Sequence, residues 1–186
     1  MKWLLWILGG LVGLVVLCIG GLWLAGLRPG HGHVAEEIVV ERPAPEVFRW
    51  LTDDDRVKRW IGGLTEIRPI SAPGDGSEVG RKFRLTEYYN NQRVDMEMDI
   101  TKFEKDRALS IFVSSIGDPN NGFTETGDYT LAEQNGKTRL RFEVQTKYSG
   151  FVLRLLEPMI TPKAKEKLDE DFRRLKELAE AEPKTT

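Results

Sequence analysis

The sequence predicts an α+β protein: a seven-stranded antiparallel sheet wrapped around a long C-terminal helix, with two short helices after the first strand, preceded by one transmembrane helix. Three observations predict it. The N-terminus carries a long apolar run without charge, six later segments alternate with a period of two, and the C-terminal apolar residues recur every three or four positions.

The apolar run occupies residues 3–27, where 19 apolar residues and six glycines make up all 25 positions between Lys2 and Arg28. As a helix it would reach roughly 37 Å, more than the hydrocarbon core of about 30 Å. Trp3, Trp6 and Trp23 lie toward its two ends, where indole rings favour the headgroup level. The run exceeds the h-region of a cleaved signal peptide, and no small-x-small cleavage site stands near Ala25. Residues 1–27 are therefore expected to form a transmembrane anchor, 28–33 a linker containing His31 and His33, 34–181 the folded domain, and 182–186 a disordered tail. Lys2 and the terminal amine against Arg28 lean slightly toward an inside N-terminus, which makes a single-pass membrane protein with an extracytoplasmic domain. The Gly9-x-x-x-Gly13 spacing is one at which two spans could pair as a weak homodimer.

The first strand is expected over Val34–Arg42, ended by Pro43. Pro45 suits a first helical position, and Val47, Phe48, Trp50 and Leu51 supply the apolar face of a short helix. Asp53, Asp54 and Asp55 precede a second short helix ending at Gly62 and Gly63; they read as a cap, because consecutive carboxylates point apart and no further metal ligand is evident. Six strands follow, over Leu64–Ser71, Val79–Asn90, Arg93–Lys105, Arg107–Ser115, Phe123–Glu133 and Thr138–Tyr148. Short separators such as Asn135-Gly136, a type I′ hairpin signal, make neighbours antiparallel. Beyond Gly150, Pro158 and Pro162 are expected to kink or divide the C-terminal helix, leaving a short apolar piece before the long one.

Lys and Arg total 27 and Asp and Glu 29, so a net charge of −2 offers no field for nucleic acid. One cysteine, Cys18, and two histidines leave no disulfide framework, no multi-cysteine zinc site and no nucleophilic triad; no metal or cofactor is expected. Alternation in the fourth strand puts Val94, Met96, Met98 and Ile100 on one face and Asp95, Glu97 and Asp99 on the other. The same inner face takes Phe83, Leu85, Glu87 and Tyr89 from the third strand, Ile111 from the fifth, Glu125 and Tyr129 from the sixth, and Phe142 from the seventh.

Local residues carry a family resemblance. Ile38-Val39-Val40-Glu41-Arg42-Pro43-Ala44-Pro45-Glu46-Val47-Phe48 running on to Leu51-Thr52-Asp53, then Val57-Lys58-Arg59-Trp60-Ile61, and finally Leu155-Leu156-Glu157-Pro158 with Asp171-Phe172-Arg173-Arg174-Leu175-Lys176, resemble the SRPBCC superfamily. This is the START-like, Bet v 1-like helix-grip fold, and the likeness is greatest to its polyketide cyclase/dehydrase branch. It spans residues 34–181 and leaves out the anchor. The resemblance implies a cavity between sheet and long helix for an apolar or amphipathic molecule or lipid, with Trp60 at its rim and Leu155 and Met159 of the helix beside the inner-face residues already named.

Two function classes follow. One is a membrane-anchored binding or carrier domain whose partners are a small apolar ligand or lipid and the bilayer itself. The other is a cyclase- or dehydratase-like enzyme using Glu87 or Glu125 as acid or base. The competing account of both carboxylates is that they sit at the cavity mouth and meet water, or that a bulge slips their phase.

Overall fold

The computed structural model describes residues 30–71, 77–89, 91–117 and 122–183, together with residues 14, 17, 19–21 and 26. The elements in chain order are β1 (His31–Val40), α1 (Ala44–Thr52), α2 (Asp54–Trp60), β2 (Leu64–Pro69), β3 (Lys82–Tyr89), β4 (Gln92–Glu104), β5 (Ala108–Ser115), β6 (Phe123–Gln134), β7 (Lys137–Tyr148) and α3 (Phe151–Ala181). The seven strands form one antiparallel sheet in the order β1-β7-β6-β5-β4-β3-β2. Strands β1 and β2 are consecutive in sequence yet lie on opposite edges, and α1 and α2 bridge the distance between them.

Local chemistry explains the joints. Asp53 caps α2, its Oδ1 accepting from the Asp55 and Arg56 amides at 3.0 and 3.2 Å, so the acidic run is the helix start that its order suggested. Asn135 and Gly136 both have positive φ, 55° and 71°, the left-handed pair that a two-residue hairpin requires. A bulge between Ile100 and Lys102 shifts β4 by one residue, which turns Phe103 inward to meet Phe48 edge-on at 5.3 Å.

The solid core lies at one end of the sheet. Val40, Val47, Trp50, Leu140, Phe172 and Leu175 are essentially inaccessible, and all belong to the end of β1, the start of β7, helix α1 or the C-terminal half of α3. Arg42, itself buried, locks that end: its guanidinium donates to the Glu180 carbonyl and, at 2.7 Å, to the Glu182 carbonyl, placing a cation on the negative pole of α3.

Three expectations change. Helix α3 is continuous through Pro158 and Pro162. The two prolines are four residues apart, hence on one face, and both are exposed, so the rungs they remove lie on the solvent side of the helix, away from the sheet. The expected linker is shorter, because His31 and His33 already belong to β1; the His33 ring nitrogen Nε2 lies 2.8 Å from Glu143 Oε1. Glu182, expected in a loose tail, pairs with Arg56 at 2.5 Å. No helix among the described residues is long and apolar enough to cross a membrane; apart from the helical residues 14, 17, 19–21 and 26, the anchor expected over 1–27 lies outside those described.

A cavity-forming substitution separates the two halves of α3. Phe172→Ala is expected to lower unfolding free energy by about 3–5 kcal/mol, whereas Met159→Ala, at a residue 66 % exposed, should stay within about 0.5 kcal/mol of the parent in denaturant titrations.

Candidate ligand cavity

Away from the solid core, sheet and helix part. A cavity of about 340 Å³ lies between α3 and the inner faces of β1, β3, β4, β6 and β7, within the range of small-molecule sites. Val94, Met96, Phe123, Val144 and Leu168 give it apolar walls. Its floor is an aromatic stack. Phe142 lies on Tyr129 with ring centroids 4.1 Å apart and planes 21° apart, and faces Phe172 at 6.1 Å on the side of the core. Gly127 makes room for it: a Cβ there would stand 2.7 Å from the Phe142 ring.

One side of the cavity is charged. Glu87 on β3 and Lys167 on α3 meet at 3.2 Å, and Lys167 also reaches Asp171 Oδ2 at 2.7 Å, one helical turn on. The other oxygen of Asp171 accepts the Gly62 amide at 2.8 Å, which ties α3 to the turn before β2. That turn depends on glycine, because Gly63 has φ of 85° and a Cβ on it would lie 2.3 Å from the Tyr88 carbonyl. Burial draws the Lys167 ammonium down, but Glu87 and Asp171 outweigh it and hold the group above its usual range.

Glu125 on β6 faces the same space and accepts a hydrogen bond from the Thr146 hydroxyl at 2.9 Å. Burial pushes its carboxyl above the ordinary range; the Thr146 bond opposes the shift, neighbouring Glu87 adds to it and Lys167 offsets part. Its residual accessible surface opens into the cavity, which is why it is desolvated without being wholly enclosed. Burial likewise raises the Tyr148 and Tyr129 hydroxyls. The arrangement can therefore hold an apolar body against the walls and a polar group against a carboxyl that retains its proton more readily than a free glutamate. Among the described residues, no three His, Cys, Asp or Glu side chains converge as metal ligands.

Of the residues expected to line the cavity, the structure brings Glu87, Tyr89, Met96, Glu125 and Phe142 together there. Strand phase accounts for this: Glu87 is paired with Val94, Leu85 with Met96, and Glu125 with Thr146, so one face is continuous across the sheet. The others require correction. Trp60 is not a rim residue; it is 2 % exposed, its indole donates to the Trp50 carbonyl at 2.7 Å, and its ring meets Phe172 edge-on. Phe83 and Leu85 are buried in the core, and Met98 and Ile111 pack against it, toward the filled part of the same face. Tyr129 sits beneath Phe142 rather than in the void. Leu155 and Met159 are not among the residues lining this cavity: Met159 is nine residues from Leu168, about 180° around the helix at 100° per residue, and lies on the opposite face.

Sequence reasoning missed Lys167, Asp171 and Tyr148, whereas alternation in the seventh strand already put Thr146 on the inner face with Phe142 and Val144. A signal existed for the first two, since an i,i+4 pair of opposite charge flanks the Ala164, Leu168 and Phe172 stripe and must lie beside the sheet. With the Glu125 carboxyl raised above its ordinary 4.5, the folded state holds a proton that the unfolded chain releases. Stability should thus fall as pH rises from about 4.5 through the raised value. Glu125→Gln, which cannot ionise, should lose that dependence, so its stability relative to the parent should increase with pH in unfolding titrations over that window.

Comparison with known proteins gives the family. Residues 41–180 match the model of the Activator of Hsp90 ATPase homolog 1-like protein family, AHSA1. No curated protein sequence matches the chain. Among solved structures, that of Ara h 8.0201 superposes with a TM-score of 0.64 at 14 % identity, covering 82 % of this chain and 99 % of that one. A conserved protein from Geobacillus kaustophilus gives 0.64 at 16 %, covering 80 % and 94 %, and a Mesorhizobium loti protein 0.59 at 20 %, covering 81 % and 99 %. These likenesses establish the Bet v 1-like helix-grip fold, and with a family match over most of its length the chain belongs to the AHSA1-like family.

Proposed function

We propose that this protein is a membrane-anchored binding or carrier domain for an apolar or amphipathic small molecule or lipid. The observation that carries the reading is the 340 Å³ cavity itself, with apolar walls and a single charged side formed by Glu87, Glu125, Lys167 and Asp171. Apolar walls reward a hydrocarbon or ring body by roughly 25 cal/mol per Å² removed from water, and the polar side fixes which end enters first. The uninterrupted apolar run over residues 3–27 supports the anchor.

A second reading has its own observation. Glu125, desolvated and 2.9 Å from the Thr146 hydroxyl, is a carboxyl suited to proton transfer, as a cyclase- or dehydratase-like reaction of the polyketide type would need, with Glu87, paired with Lys167, as the second carboxylate in the cavity. The two readings differ in turnover.

Lipid extraction of the chain purified from its native membrane, followed by mass spectrometry, should yield a bound molecule with one polar end. Val144→Trp, which fills the cavity from β7, should weaken binding of an apolar fluorescent probe about tenfold or more, equivalent to about 1.4 kcal/mol, with circular dichroism unchanged. If the extracted compound is converted by the protein and Glu125→Gln slows that conversion by about a hundredfold or more, the enzymatic reading replaces the carrier one.

A further inference from the structure

The strand register places three features at one end of the molecule. The start of β1, the end of β7, the start of β6 and the end of β3 meet there, since His31 pairs with Lys147, Phe123 with Tyr148, and Tyr89 with Gln92. This is the cavity's end: Tyr89, Phe123, Tyr148 and Gly32 all line it. It is where the chain arrives from the apolar run. It is also where α3 begins.

The first three turns of α3 are unlike the rest. Residues 151–162 contain one basic and one acidic side chain, Arg154 and Glu157, whereas twelve of the nineteen residues 163–181 are charged. Val152, Leu156 and Met159 follow an i, i+4, i+7 spacing and are 55, 39 and 66 % exposed, with Phe151 beside them at 41 %. No described element covers this face. The incoming chain is fixed against its edge. Gly26, helical and buried, lies so close to Phe151 that a Cβ would stand 2.3 Å from that ring, and a Cβ on Gly30 would meet Arg154 Cγ at 2.8 Å. The Gly30 carbonyl accepts the Tyr148 amide at 2.9 Å, which joins the chain at Gly30 to the sheet.

We propose that the face formed by Phe151, Val152, Leu156 and Met159 docks into the interface of the lipid bilayer and turns the cavity mouth toward the membrane. The occupant follows from the chain's own layout. An apolar run of 25 residues ends at residue 27, and three residues later the backbone is held beside this face, so the surface nearest the anchor is the exposed apolar one. Arg154, at the border, packs its stem over Gly30 and turns its Nε toward the Tyr148 carbonyl at 3.4 Å, leaving the outward face apolar. The cavity then exchanges its contents with lipid directly, without passage through water. This inference rests on the membrane-anchor reading, and a distinct measurement tests each.

The full chain with Cys18→Ser, and with Met159→Cys or Val152→Cys carrying a bimane fluorophore, is reconstituted in phosphatidylcholine/phosphatidylglycerol vesicles. Flotation after alkaline carbonate treatment tests the anchor alone. Emission in vesicles containing phosphatidylcholine spin-labelled high on the acyl chain tests docking. For both labels it should fall about twofold or more, as for a face buried about 5–10 Å into the headgroup boundary. A label at Asn135→Cys, on the hairpin at the far end of the sheet, should be unaffected. Chains that float while labels at 152 and 159 are quenched no more than the label at 135 would overturn the docking surface and leave the anchor standing. Chains that do not float would overturn both.

Discussion

One helix has to cover the concave face of a seven-stranded sheet, and only half of it is equipped to do so. From Asp171 to Ala179 the side of α3 that meets the sheet carries Phe172, Leu175 and Ala179, all buried, and the two layers close into a solid core. From Thr161 to Leu168 the facing residues are smaller, polar or only half-buried, and the layers stand apart. The cavity exists because this change falls in the middle of a single rigid element. Arg42 holds one end of that element and the Gly62–Asp171 bond holds its centre, so the helix cannot tilt inward to fill the gap.

The polar groups in the cavity follow from the same constraint. Where a sheet and helix separate, side chains that could not be tolerated in a sealed core find partners across the gap: Glu87 and Lys167 from opposite layers, Thr146 and Glu125 from adjacent strands. Asp171 stands at the boundary, with one oxygen serving the framework and the other Lys167. Burial of Glu125 in this space disfavours its charged form, so a ligand there meets a carboxyl shifted toward its protonated state.

Much of this was legible in the residues, and the reason is periodicity. Alternation in β4 and β3 assigned Met96 and Glu87 to the inner face, and the structure pairs those strands in that register. The helix-grip order of elements was likewise readable from turn residues such as Asn135-Gly136. What periodicity cannot give is depth. Phe83, Leu85, Met96 and Glu87 share one face, yet only the last two border the void: Phe83 lies nearer the filled end, and Leu85, level with its partner Met96, stands one strand closer to the edge of the sheet. Trp60 was misplaced for a related reason: a large aromatic on a short helix can face a cavity or seal a core, and its hydrogen bond to the Trp50 carbonyl chooses the core. Met159 and Leu155 were expected at the cavity from the resemblance of the last helix, against the helical phase that Ala164 and Leu168 define. The run over residues 72–76 and the first residues of the chain lie outside those described, so no comparison applies there.

The two prolines give α3 an uneven cooperativity. Each removes an amide proton and one rung of the i to i−4 ladder, and both losses fall in the stretch whose outer face has no protein partner. Beyond residue 170 the helix is bound to the rest of the molecule by buried side chains, and opening it means unfolding the protein. Before residue 163 the ladder is weakened and no side chain of the helix is fully buried, which places this segment toward the low free-energy end of the hydrogen-exchange spectrum. Thr161 is the one residue of this segment among those lining the cavity, so fraying of the first turns loosens the cavity's end beside Gly32 and Tyr148 and leaves the helical wall from Ala164 to Asp171 in place.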